Sequence, residues 1–82
     1  MVIIVKETGV PSVVVDGDKY TITTPCSAYN EDNTVVASES LVITGLTTED
    51  AKVVKAKITK TMEIWRLKIV AAEEFKAKIG DV

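Results

Sequence analysis

Hydrophobic and polar residues alternate along much of the first half of the chain. Val2 to Val5 is a short run rich in β-branched residues, which is typical of a strand. Residues 12–24 hold two apolar runs on either side of Asp16-Gly17-Asp18, a tight-turn sequence that predicts a β-hairpin. Residues 34–44 then alternate over eleven positions, and the apolar positions on one face are Val35, Ala37, Leu41 and Ile43.

A glutamate and a polar stretch interrupt this pattern. Glu39 falls among the apolar positions of residues 34–44, so we expect a β-bulge near it, or else a hairpin that turns at residues 38–40. Residues 25–33 are polar and begin with a proline, which predicts a loop. The first half therefore predicts a small antiparallel sheet of about four strands within residues 2–44.

The second half has the spacing of a helix. Residues 47–50 offer hydroxyls and acids suited to a helix start, no glycine or proline occurs from residue 48 to 79, and Gly80 is a typical stop. One long C-terminal helix over residues 48–79 is predicted. Two alternatives remain: a break near residues 59–61, where β-branched residues lower helix propensity, and a strand over Glu63 to Ile69, which also alternates.

These elements predict an α+β fold in which residues 1–82 form a single domain. A helix of 32 residues is about 48 Å long, whereas a compact domain of this size is roughly 30 Å across. The helix must therefore extend past its own sheet, break, or pack against another chain.

Two separate apolar stripes run along the predicted helix at 100° per residue. The main stripe, expected to lie on the sheet, consists of Ala51, Val54, Ile58, Met62, Trp65, Ile69, Ala72 and Ile79. A second patch lies about 140° away and consists of Val53, Ile64, Leu67 and Ala71. Since one sheet cannot cover both, the second patch is predicted to be the interface with a partner.

The residue types offer little for catalysis. Because the chain has no histidine and only one cysteine, histidine-dependent catalytic triads, zinc sites and disulfides within the chain are not expected. Acid pairs at Asp16/Asp18 and Glu31/Asp32 lie in predicted turns, where solvation is expected. Cys26 is expected to be a small buried residue instead of a reactive thiol. The prediction is a non-enzymatic protein with no cofactor and no metal.

Charge differs between the two halves. Residues 1–46 carry two basic and six acidic residues, a net charge of −4, and residues 47–82 carry eight basic and six acidic residues, a net charge of +2. The lysines scatter around the predicted helix, and the isoelectric point is near 5.0. Nucleic-acid binding is therefore kept only as a distant alternative.

No apolar stretch is long enough for a membrane span, and the run at residues 2–5 is too short for a signal peptide. We expect the protein in the cytoplasm, or assembled into a particle inside a host cell. The favoured function is a homo-oligomeric assembly, adaptor or structural protein acting through its long helix, and a virus or phage is one setting for it. The alternative is a small ligand-binding regulator or inhibitor, with a site at a subunit interface rimmed by residues 25–33.

Overall fold

The computed structural model describes residues 2–47 and 49–80 and confirms the predicted α+β fold. Four antiparallel strands precede one long C-terminal helix. The elements are β1 (Ile4–Glu7), β2 (Ser12–Asp16), β3 (Lys19–Tyr29), β4 (Val35–Leu46) and α1 (Ala51–Gly80).

Strand β3 is the centre of the sheet. Strands β1 and β2 both pair with one of its edges, β1 along residues 26–29 and β2 along residues 19–23. Strand β4 pairs with the opposite edge over almost the whole length of β3. The sheet is therefore three rows wide, and β1 and β2 together make one interrupted outer row.

A proline in the middle of β3 explains that interruption. Pro25 has no N–H, and prolines in sheets are tolerated at edges and bulges. The chain bulges outwards opposite it at residues 8–11, where the Thr8 N–H donates to the Pro25 carbonyl at 2.9 Å. Gly9 allows the close approach, since a Cβ there would come within 3.1 Å of the Pro25 ring.

The turn between β3 and β4 is shorter than predicted and occupies residues 30–34. The Asn30 side-chain oxygen accepts hydrogen bonds from the N–H groups of Asp32 at 2.9 Å and Thr34 at 3.0 Å. Asn33 adopts the left-handed conformation, with φ 62°, which asparagine tolerates better than most residues. The loop predicted over residues 25–33 is thus wrong for residues 25–29, which belong to β3.

Strand β4 is continuous, so no hairpin forms at residues 38–40, and the bulge predicted at Glu39 is also wrong. Glu39 lies in register opposite Cys26. Two irregularities occur instead, one near Val36 and one at Gly45, whose φ of 72° accompanies an extra residue in β4. The insertion shifts the alternation, so that Leu46 enters the core and is only 1% exposed.

Helix α1 has 30 residues and begins at Ala51, three residues later than predicted. Asp50 caps it, with its side-chain oxygen accepting the Lys52 N–H at 2.9 Å, while Thr48 lies outside the described residues. The helix passes through residues 59–61 and 63–69, so both the predicted break and the alternative strand are wrong.

The hydroxyls of the region predicted to break bond back to the helix itself. Thr59 donates to the Lys55 carbonyl at 3.0 Å, and Thr61 donates to the Lys57 carbonyl at 2.8 Å. These bonds satisfy the side chains within the preceding turn, so the helix accommodates them without a break.

One face of α1 packs on one face of the sheet. Its buried residues are Ile58, Trp65 and Ile69, with Val54 and Met62 half-buried beside them. The central part of the predicted main stripe is thus confirmed, whereas its ends are wrong, since Ala51, Ala72 and Ile79 are exposed.

The molecule is elongated, because α1 and the sheet run alongside each other. The radius of gyration is 15.1 Å and the longest dimension is 51 Å, against a radius of about 12 Å for a compact chain of this length. Within residues 2–47 and 49–80, no helix is long and apolar enough to cross a membrane.

Candidate protein interaction surface

The four residues predicted as a partner interface all lie on the side of α1 that faces solvent. Val53, Ile64 and Leu67 are 41%, 48% and 53% exposed, and Ala71 is exposed too. Around the helix axis, these side chains point about 140° away from the centre of the buried face, so they do not contact the sheet.

The structure adds a residue that the sequence analysis missed. Phe75 is 64% exposed and extends the same face towards the C-terminal end of α1. Val53, Ile64 and Phe75 are spaced by eleven residues, a spacing that keeps side chains nearly in line along a straight helix. This spacing was the signal that could have identified Phe75. We call Val53, Ile64, Leu67, Ala71 and Phe75 the outer row.

Charged residues border the outer row. Lys57, Lys60, Lys68 and Lys78 project from the same exposed side of α1, together with Glu74. Nearer the sheet, Arg66 donates to Glu63 at 2.6 Å, and this hydrogen bond holds the pKa of the Glu63 carboxyl below its usual range. The outward side of α1 is therefore an apolar row with a mainly basic border.

A second exposed apolar surface lies on β2. Val13, Val14 and Val15 follow one another along this strand, and each is more than half exposed. Within the described part of the chain, α1 packs over β1, β3 and β4 but not over β2. The strand thus presents valines on both of its faces, and its outer edge is unpaired among the described residues.

An apolar groove of about 340 Å³ lies beside β2, where the helix leaves the sheet uncovered. Val13, Leu46 and Val54 contribute to its walls. The Tyr20 hydroxyl donates to a Glu49 carboxylate oxygen at 2.7 Å at the rim, and this bond raises the pKa of Tyr20. The groove therefore offers mostly hydrocarbon, with one paired polar contact.

The side chains that could take part in catalysis or metal binding are either buried or exposed in separate places. Cys26 is 1% exposed, and burial raises the pKa of its thiol, as expected for a cysteine that packs as a small apolar residue. Asp16 is exposed at the end of β2, and Asp18, Glu31 and Asp32 are exposed in turns. In residues 2–47 and 49–80, no group of three or more histidine, cysteine, aspartate or glutamate residues is placed to hold a metal ion.

The rim predicted for a small-molecule site is not formed as expected. Because residues 25–29 lie inside β3, only the turn at residues 30–34 remains as a loop. A pocket of about 300 Å³ lies beside that turn, and Glu31, Asp32 and Glu73 line part of it. The structure thus places acidic side chains there, facing the C-terminal half of α1.

Comparison with known proteins gives no guide to the role of these surfaces: no family model, no curated protein and no solved structure matches this chain. Their roles must be inferred from their own chemistry. The outer row and β2 each present several exposed apolar side chains that are adjacent in sequence or in space, and such surfaces commonly mark protein contacts.

Proposed function

We propose that this chain is a non-enzymatic assembly protein that forms a homo-oligomer through the outer row of α1. The observation that carries the proposal is the exposure of Ile64, Leu67 and Phe75 on one side of a helix whose other side is already packed. Each of these side chains is about half exposed, so covering the rest of it would contribute roughly 1 kcal/mol, about half the value for full burial. A contact with another chain recovers part of that energy.

The exposed C-terminal end of α1 also favours contact with a second chain. Residues 74–80 are all exposed, so the last two turns receive little cover from the sheet. Phe75 and Ile79 lie within this segment, at 64% and 56% exposure. Aromatic side chains such as Phe75 are enriched at protein interfaces.

A second copy of α1 fits the outer row in an antiparallel arrangement. With a two-fold axis at Ala71, Leu67 of one copy lies at the level of Phe75 of the other. Those two residues lean to opposite sides of the row, so their side chains can pack beside each other. The small Ala71 at the axis lets the two helix backbones approach closely.

The charged border matches the same arrangement. Ile64 of one copy lies at the level of Lys78 of the other, whose alkyl stem can cover it. Val53 lies outside this overlap and is not required by it.

The overlap is small, which predicts a reversible oligomer. Residues 62–80 of the two copies face one another over roughly 28 Å, on helices about 10 Å wide. A contact of this size is at the low end of specific protein interfaces. We therefore expect the mass in solution to rise with protein concentration.

Leu67→Glu tests the proposal. The variant places a carboxylate at the centre of the overlap, so we expect a clear loss of mass by light scattering after size exclusion. Ala77→Glu is the matched control, because it adds the same charge to an exposed position on another side of α1. Both variants should show the wild-type circular dichroism spectrum, since neither residue is buried.

The outcomes separate clearly. Loss of mass in Leu67→Glu alone supports the outer row as a self-interface. An equal effect of both substitutions, no effect of either, or a wild-type monomer at every concentration would overturn the proposal.

A further inference from the structure

The two edges of the sheet differ in how they are protected. Exposed edge strands tend to pair with other chains, and proteins block them with charges and bulges. Strand β4 has bulges and carries Glu39 at a position that faces the helix side, opposite Cys26. Strand β1 carries Lys6 and Glu7. Residues 12–15 of β2 carry neither a charge nor a bulge.

The hairpin geometry shows which backbone groups of β2 are free. Asp16 and Lys19 flank the two-residue turn at Gly17, whose φ is 63°, so they form a hydrogen-bonded pair. Bonding alternates along an antiparallel strand, which makes Val14 bond to β3 as well. The N–H and carbonyl groups of Val13 and Val15 therefore point away from β3, towards the open edge.

We infer that β2 pairs antiparallel with β2 of a second copy, about a two-fold axis at Val14. This register sets Val13 opposite Val15 of the other copy, so the outward N–H and carbonyl groups form four hydrogen bonds. In this register, corresponding side chains of the two copies lie on the same face of the joined sheet. A shift by one residue would place them on opposite faces.

The same register has no charge conflict. Asp16 of one copy lies opposite Ser12 of the other, and no two like charges meet within the paired residues. The three valines of each strand then pack across the junction, valine being among the residues most favoured in strands. A second copy of this chain is therefore a complementary occupant of the β2 edge in backbone, side chains and charge.

This contact is separate from the outer row of α1 and stands independently of it. A chain with two different self-interfaces can continue to add copies, either into a closed tetramer or into a linear array. With both contacts active, the wild-type mass should therefore exceed that of a dimer at high concentration.

Val15→Pro tests the edge contact. Proline removes the outward N–H of Val15 but no hydrogen bond to β3, so the fold should survive. Val15→Ala is the matched control, because it shortens the side chain and keeps the N–H. By light scattering, Val15→Pro should form nothing larger than the helix-mediated dimer, Val15→Ala should keep part of the larger wild-type species, and Val15→Pro with Leu67→Glu should be monomeric.

Amide hydrogen exchange of the wild type gives a readout that needs no variant. The Val13 and Val15 amides should be protected in concentrated protein and exchange rapidly after dilution, whereas the Val14 amide should be protected in both. Rapid exchange of Val13 and Val15 under conditions where the protein is oligomeric would overturn the edge contact. If Val15→Pro alone lowers the mass and Leu67→Glu does not, the edge contact stands and the helix contact fails.

Discussion

At the scale of single residues, the hydroxyl of Thr24 is poorly placed for stability. Thr24 is fully buried beneath α1, and among the described residues its side-chain oxygen has no hydrogen-bond partner. A buried polar group without a partner costs about 1–3 kcal/mol. By contrast, Ser27 and Ser38 on the opposite face of the sheet bond to each other at 2.8 Å.

Thr24→Val should therefore stabilise the protein by about 1 kcal/mol, because the shape is kept and the unpaired hydroxyl is removed. Ser27→Ala is the contrasting variant and should destabilise it by a similar amount, since Ser38 loses its partner. Urea unfolding at a fixed protein concentration measures both changes. A destabilised Thr24→Val variant would mean that the hydroxyl is bonded in solution.

At the scale of elements, periodicity predicted the strands and the helix, and pairing decided their details. The alternation of residues 34–44 and the helical spacing of the apolar positions in residues 54–69 were both visible in the sequence. The extension of β3 through Pro25 was not visible, because it depends on the connection between β1 and β2 at residues 8–11, which lies opposite Pro25 but far from it in sequence. The bulge at Gly45 was missed because Glu39 looked like the irregular position, although it lies in register.

Gly45→Ala should destabilise the protein by about 1–2 kcal/mol, since alanine disfavours the left-handed conformation that Gly45 adopts. No atom lies within 4 Å of the added Cβ, so the cost comes from the backbone alone. Gly45→Asn should recover part of the loss, because asparagine tolerates this conformation. Thermal unfolding can rank the two variants, and equal stability of Gly45→Ala and wild type would contradict the bulge.

At the scale of the whole molecule, the sequence identified one candidate surface more readily than the other. The helical wheel separated Leu67 and its neighbours from the buried face, because helix geometry alone fixes that separation. It could not identify the β2 edge. That surface depends on which strands the helix covers and on where β1 and β2 lie along β3, and both follow from tertiary packing.

The most direct test of the helix contact is disulfide formation at its proposed two-fold axis. In a Cys26→Ala background, Ala71→Cys places one thiol on each copy at the axis, close enough for a disulfide between helices packed through alanine. Ala77→Cys, on another exposed side of α1, is the control. Under mild oxidation at high concentration, we predict that Ala71→Cys forms a covalent dimer rapidly and that Ala77→Cys remains mostly monomeric on a non-reducing gel. Equal crosslinking of the two variants, or none at Ala71→Cys while the protein is oligomeric, would contradict the contact.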